Sequence, residues 1–288
     1  VTKKEMLKMH HKGNQNAKHK FDTPSEYINY LKTTDLSVNK IMQCLESLRI
    51  SLSSHTLSWV EEFGRAGLSE ILRLLNESNT RLDHKWNKVG SECIRCIKAI
   101  MNCKAGVKQL FELKDAVCIL ASCVDPKKPS TMLEALKILS AICVIEPPNT
   151  FETVLEAITI SGENKNVDRF QPIVQGFNLG DEVNFKDSCE LQKSSLILIN
   201  ALLDCEDLDL RVHLRNEFMR AGLGDALEML KGKELDESLE VHLQIFETNK
   251  TQDYEEYTQR FEHLHPELDD TNACFDLLKT IVMDTPAR

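Results

Sequence analysis

Two fourteen-residue stretches, Glu62–Leu75 (EFGRAGLSEILRLL) and Glu217–Leu230 (EFMRAGLGDALEML), agree at eight positions. A chain that repeats itself this closely builds one supersecondary unit more than once, and such units bury their apolar faces against each other. In both copies Ala-Gly-Leu lies between two apolar helical runs. Gly67 and Gly222 are expected to supply the corner, because glycine takes left-handed backbone without steric cost.

A second repeat is carried by Leu48-Arg49-Ile50, Ile97-Lys98-Ala99, Leu139-Ser140-Ala141 and Ile199-Asn200-Ala201. Four residues after the middle member come Ser53, Asn102, Val144 and Asp204. Positions i and i+4 share a helix face. Each unit is therefore expected to bury its Leu or Ile. It would present Arg49/Ser53, Lys98/Asn102, Ser140/Val144 and Asn200/Asp204 on a common concave wall, with Ile50, Ala99, Ala141 and Ala201 beside them. In the third unit, inside EALKILSAICVIEPP (Glu134–Pro148), Ala141 and Val144 make that wall apolar, and Pro147-Pro148 stops the helix. An apolar patch on a concave helical surface suits an amphipathic helix. Taken singly, the alanines would serve equally well to let neighbouring helices approach.

The periodicity predicts helices throughout. Thr23-Pro24-Ser25-Glu26 reads as a capped start. Helices follow over Ser25–Lys32, Val38–Leu52 and Leu57–Glu77, the last broken near Gly64–Gly67. Further helices are predicted over Glu92–Met101, Gly106–Cys123, Thr131–Val144, Thr150–Ile160, Arg169–Gly176, Phe185–Leu203, Leu210–Leu230 and Leu239–Leu264. No period-2 strand pattern occurs. The fold expected is all-α: an armadillo-repeat, right-handed superhelical solenoid with a small N-terminal segment. The chain is expected to end just as a further helix begins.

The net charge of −10 argues against a nucleic-acid partner, whose grip rests on Lys and Arg neutralising phosphates. The charge is uneven. Residues 1–20 hold six Lys and one Glu, whereas Glu234–Asp270 holds twelve acidic residues against Lys250 and Arg260. A basic arm and an acidic C-terminal region thus bracket a balanced middle, which suggests two partners of opposite sign. His10, His11 and His19 lie in the arm and are read as solvated.

No run is long and apolar enough for a membrane span, and no signal peptide opens the sequence. Most of the ten cysteines, Cys44, Cys118, Cys143 and Cys189 among them, sit singly on apolar faces, as in reduced cytosolic proteins. The one C-x-x-C, Cys93–Cys96 with Cys103 nearby, lacks the second pair that a zinc site needs. No metal or cofactor is expected. Phosphate-binding glycine loops and the common catalytic motifs are absent, and adjacent acids such as Glu61-Glu62 and Glu255-Glu256 do not converge on one point. A binding module is expected, not an enzyme.

Several stretches are distinctive: CLESLRISLSSHTLSWVEEFGRAGL (Cys44–Leu68), CIKAIMN (Cys96–Asn102), LKILSAICVI (Leu136–Ile145), DRFQPIVQG (Asp168–Gly176) and LINALLDCEDLDLRVHLRNEFMRAGL (Leu198–Leu223). Together they resemble the N-terminal regulatory region of diaphanous-related formins, in order and over nearly the whole chain. The resemblance implies a GTPase-binding segment over 1–75, overlapping an armadillo-repeat inhibitory domain over 38–232. Acidic helices over 233–288 would then lead toward a dimerisation region. It implies an autoinhibitory module of an actin-nucleating formin. That module binds a C-terminal autoregulatory helix of the same protein, releases it when a GTP-bound Rho-family GTPase binds, and acts as a dimer in the full-length protein. The location implied is cytoplasmic, at the actin cytoskeleton and cell cortex. The groove positions it implies are Ile50, Lys98, Asn102, Ala141, Val144, Ile197 and Asn200. Relatives carry Ile or Leu at Val144 and often Gln at Ile197. The GTPase-reading loop corresponds to Ser53-Ser54-His55, and Lys3, Lys4 and Lys8 to the basic segment that meets the GTPase. The competing reading is an armadillo-type adaptor that docks an unrelated peptide without a nucleotide switch.

Overall fold

The computed structural model describes residues 21–81, 83–145, 150–179, 185–231, 235–260 and 270–284. Fourteen helices and no strand occur among them. The first, α1 (Pro24–Leu31), opens as its sequence demands. The Thr23 Oγ1 accepts from the Glu26 backbone N–H, while the Glu26 carboxylate accepts from the Asp22 and Thr23 N–H groups at 2.9 and 3.0 Å. Those backbone donors hold the Glu26 carboxyl below its ordinary pKa.

The wall of the molecule is a series of long helices: α2 (Val38–Ser54), α4 (His84–Ile100), α7 (Pro129–Cys143), α10 (Phe185–Leu202) and α13 (Glu237–Gln259). Each packs on the next, α2 on α4, α4 on α7, α7 on α10 and α10 on α13. Behind them lie α3 (Leu57–Thr80), α5 (Lys104–Phe111), α6 (Ala116–Ser122), α8 (Thr150–Lys165), α9 (Gln171–Gln175), α11 (Leu208–Arg220) and α12 (Leu223–Glu228). There α1 packs on α3, α3 on α4, α6 on α8 and α11 on α13. One continuous core runs through the array, and the four residues predicted to anchor the repeat, Leu48, Ile97, Leu139 and Ile199, are all fully buried in it.

Several expectations need correcting. The helix α4 starts eight residues before the predicted Glu92, because the Asp83 side chain caps the Lys85 N–H at 3.0 Å and Trp86 and Val89 are buried. The predicted Gly106–Cys123 helix is two, α5 and α6, and Leu210–Leu230 divides into α11 and α12 at Gly222. Arg169–Gly176 forms only the short α9. A final helix, α14 (Thr271–Asp284), follows within 233–288, where the periodicity places only Leu239–Leu264. Of Leu239–Leu264, the part beyond Arg260 lies outside the described residues, as does Pro147-Pro148.

The two EF-x-R-A-G-L corners turn at different residues. In the first, the break is Gly64 (φ 48°, ψ −154°), so seven residues of α3 precede it and Gly67 continues the helix. A Cβ on Gly67 would meet the Phe63 ring at 2.4 Å. Gly67 therefore serves close packing, and the corner glycine expected there is displaced by three positions. In the second, Met219 replaces Gly64 and the turn falls on Gly222 (φ 97°), with the longer helix before it.

Two lysines stitch layers together by capping helix ends. Lys128, at the start of α7, sends Nζ to the Ser78 and Asn79 carbonyls at 2.6 and 2.8 Å, near the end of α3. Lys165 reaches the Ser122 and Val124 carbonyls at 2.9 and 3.0 Å, at the end of α6. The last carbonyls of a helix carry partial negative charge and lack intrahelical partners, so an ammonium there answers both needs. Burial pushes the pKa of both lysines down.

Candidate functional site

The wall helices share a charge pattern that joins them edge to edge. On α4, Glu92 and Arg95 stand three residues apart, as do Glu134 and Lys137 on α7 and Glu190 and Lys193 on α10. Each base reaches the acid of the next helix. Arg49 of α2 binds Glu92, Arg95 binds Glu134 at 2.9 Å, Lys137 binds Glu190 at 2.9 Å, and Lys193 approaches Asp236, the N-cap of α13, at 3.5 Å. Within helices, Arg95 also meets Glu92 and Lys193 also meets Glu190. Two lysines on one carboxylate hold the Glu190 pKa down to about 2.

Toward the C-terminal end of each helix the same stripe becomes uncharged or loses its partners. On α2 this is Ile50 (44% exposed), with Ser53 bonding back to the Arg49 carbonyl at 2.9 Å. On α4 it is Lys98, and just past its C-cap Asn102, both exposed. On α7 it is Ala141, exposed, and Val144, at 68% the most exposed large apolar residue among the described residues. On α10 it is Ile197 and Asn200, both half-buried. The wall is thus a ladder of ion pairs beside an open strip whose centre is apolar.

The strip differs from expectation in two places. Ser140, predicted to face the groove, is buried and bonds back to the Leu136 carbonyl at 2.7 Å, so in the third unit Ala141 takes the outward position. Asn200 is partly committed, its Nδ2 donating to the His242 carbonyl on α13 at 2.9 Å. The ladder residues went unrecognised as a set. Their signal, E-x-x-R/K, is present in all four helices (Glu46–Arg49, Glu92–Arg95, Glu134–Lys137, Glu190–Lys193). Its offset from the buried Leu or Ile is shared by α4 and α7 and differs in α2 and α10, so an alignment of all four in fixed register hides it.

Ser53 and Ser54 form the last turn of α2 and His55 its C-cap, so the expected loop is a helix end. An aromatic cluster fixes it. The His55 ring stacks on Trp59 at 4.9 Å between centroids, and its Nδ1 lies 2.9 Å from the Ser51 carbonyl. Trp59 donates from Nε1 to the Asp22 carbonyl at 3.2 Å and stacks on Phe63. The Tyr27 hydroxyl bonds Ser47 and Ser51 at 2.8 and 3.0 Å. All three residues of the set are solvent-exposed on this rigid base. Lys3, Lys4 and Lys8 lie outside the described residues.

The Cys93 and Cys96 thiols face the core, Cys96 lying 3.4 Å from the Leu45 carbonyl. Burial pushes both well above the ordinary thiol pKa, which keeps them protonated and poor as ligands or nucleophiles. No group of His, Cys, Asp and Glu among the described residues is arranged to hold a metal, and no helix there is long and apolar enough to cross a membrane.

Comparison with known proteins places this geometry. The Diaphanous GTPase-binding Domain family model matches residues 1–144 and the Diaphanous FH3 Domain model matches 151–288. Protein diaphanous of Drosophila melanogaster is 39% identical across 99% of the chain, which spans 27% of that relative's length. In fold, the chain resembles the crystal structure of E. histolytica Formin1 bound to EhRho1-GTPγS. The TM-score is 0.67 at 19% identity, covering 90% of this chain and 88% of that one. It also resembles computationally designed armadillo repeat proteins for modular peptide recognition, with a TM-score of 0.54 at 16% identity over 77% and 80% of the two chains. The array is an armadillo-type all-α solenoid, and the chain belongs to the diaphanous-related formins, of which it comprises the GTPase-binding and FH3 domains.

Proposed function

We propose that this chain is the autoinhibitory half of a nucleotide-controlled switch. A C-terminal autoregulatory helix of the same formin lies across the open strip of the wall, and a GTP-bound Rho-family GTPase displaces it. The observation that carries this reading is the exposure of Ala141 and Val144 at the middle of a wall otherwise armoured with ion pairs. Leu- or Met-type side chains laid there are stabilised by about 1.5–3 kcal/mol for each one fully buried. Lys98 and Asn102 on one side, and Ile197 and Asn200 on the other, fix the ends of the helix, while Ile50 extends the apolar contact onto α2. The acidic region beyond residue 233 attracts the basic end of such a helix and speeds its arrival.

The GTPase engages Ser53, Ser54 and His55 together with Lys3, Lys4 and Lys8. The domain division that goes with this is 1–75 for GTPase binding, 38–232 for the inhibitory array and 233–288 for the helices toward a dimerisation region. Ser53 lies one turn from Ile50 on the same helix, so the two ligands compete for one end of the wall. By linkage each weakens the other equally. Recruitment to the cell cortex follows from the GTPase, and the region does no chemistry of its own.

The test is a binding panel of Rho-family proteins loaded with GTPγS or GDP against residues 1–288 and 21–288. The GTP form of at least one member is expected to bind 1–288 at least tenfold more tightly than its GDP form and to lose affinity for 21–288. Equal affinity for both nucleotide forms would sink the switch and leave the adaptor reading.

A further inference from the structure

Behind the wall, α8 and α11 leave an open trough that no wall helix lines. A basin of about 700 Å³ lies between the end of α8, the 166–170 turn and α11. A second of about 450 Å³ continues along α8 toward Phe151. They share Thr159, Glu163 and Arg169. Together they follow α8 from Phe151 to Asn166, roughly 22 Å at the helical rise.

The trough is built by local sequence. The helix α8 closes with the Val167 N–H on the Gly162 carbonyl at 3.0 Å and the Asn166 N–H on the Glu163 carbonyl at 3.1 Å, with Asn166 left-handed at φ 52°. This six-to-one and five-to-two pairing is a Schellman ending, and it turns the chain sharply back toward α9. Arg169 then lies across the floor. Its Nε and Nη2 hold Glu217 on α11 at 2.8 and 2.5 Å, and Nη1 holds the Thr159 hydroxyl at 3.0 Å. Its guanidinium covers the Phe170 ring at 4.8 Å. Three of its five N–H donors are committed and its charge is balanced by Glu217.

What remains available is apolar and acidic. Phe151, Leu155 and Leu210 are half-buried along the floor. Glu152, Glu156, Glu163 and Asp168 stand exposed around it, and none forms an ion pair among the described residues. Against these four acids the rim carries one further base, Arg220. We propose that the α8–α11 trough docks a basic, amphipathic peptide segment of a partner protein, its apolar side chains on Phe151, Leu155 and Leu210 and its Lys or Arg on the four carboxylates. The length and openness of the trough suit a peptide of three or four helical turns better than a compact ligand. The site is separate from the wall of long helices and does not depend on how that wall is used.

The experiment is a phage selection of random dodecapeptides on residues 1–288. Enriched peptides are then measured by fluorescence anisotropy against the parent chain, Glu156→Lys/Glu163→Lys and Ala141→Asp. Peptides combining Lys or Arg with Leu, Phe or Trp are expected. They should lose at least tenfold affinity for the E156K/E163K pair, bind Ala141→Asp as they bind the parent, and weaken as salt is raised. Both glutamates are exposed, so the pair should fold as the parent does, which circular dichroism checks. Leu155→Ser is the second probe and should weaken the same peptides without altering surface charge. The proposal is overturned by a selection that enriches nothing, by acidic or uncharged peptides, or by peptides indifferent to E156K/E163K.

Discussion

Arg95 on α4 reaches Glu134 on α7, Nε to Oε1, across 2.9 Å, and toward the C-terminal end of those two helices Lys98 and Ala141 belong to the open strip. The spacing repeats down the wall, from Arg49–Glu92 to Lys193–Asp236. Charge pairing therefore sets helices side by side at one level and leaves Ala141 and Val144 bare at the next. Each pair is at least partly exposed, so each contributes about 1 kcal/mol or less, and their combined value lies in fixing register.

Replacing Ala141 with Asp should abolish docking of the autoregulatory helix and leave the chain folded. Ala141 is exposed, so the carboxylate is solvated in the free protein and becomes buried without a partner only when the helix lands. The cost is about 3 kcal/mol, more than a hundredfold in affinity. Calorimetry with a diaphanous-type autoregulatory peptide measures it, and unchanged affinity would remove Ala141 from the site.

Acid should loosen the junction of α7, α10 and α13 through Glu190. Its folded pKa, about 2, lies below the ordinary 4.5, so its stabilisation is complete above about pH 5 and fades as pH falls toward 2. Glu190→Gln should cost about 0.5–1 kcal/mol at pH 7, where screening limits a half-exposed pair. The gap between parent and variant melting curves should shrink steadily from pH 5 to pH 2. A gap that widens in acid would contradict the assignment.

Asp253 holds α13 to α11 by meeting Arg211 at 2.9 Å and Arg215 at 2.6 Å, with Arg215 and Asp253 both buried. Asp253→Ala leaves the buried Arg215 guanidinium without its carboxylate, while Arg211 keeps Glu256 and the Cys205 and Glu206 carbonyls, and should cost about 3 kcal/mol. Hydrogen exchange should accelerate in α13 first, since its remaining polar ties to α10 are the Asn200–His242 bond and the approach of Lys193 to Asp236. Uniform acceleration throughout the chain would show instead that the whole array unfolds as one unit.

Both corner glycines should resist substitution, to different degrees. Gly64→Ala forces a side chain into φ 48°, ψ −154° and should cost about 1–3 kcal/mol, even though a Cβ there finds Gln109 only at 3.6 Å. Gly222→Ala, with nothing within 4 Å, should cost about 1 kcal/mol from backbone handedness alone. Urea titrations of the two variants provide the comparison, and a Gly64→Ala chain as stable as the parent would contradict the kink.

The periodic part of the architecture was legible before any coordinates. Leu48, Ile97, Leu139 and Ile199 are buried because a 3.6-residue repeat admits one apolar face, and Val144 falls outside that face for the same reason. The Thr23–Glu26 cap was equally local, since its donors and acceptors lie within four residues. What needed the tertiary structure was everything that depends on a second helix. Ser140 and Ala141 are neighbours in sequence, and only the packing of α7 between α4 and α10 decides which one is covered. Gly64 and Gly67 both allow a corner, and the Phe63 ring against Gly67 decides which one turns. The ion-pair ladder and the α8–α11 trough follow the same rule. Their residues were visible singly, but a charge pair across two helices, or a gap between them, exists only once the helices are set at a distance. That distance is determined by burial of the whole core and by no single stretch of sequence.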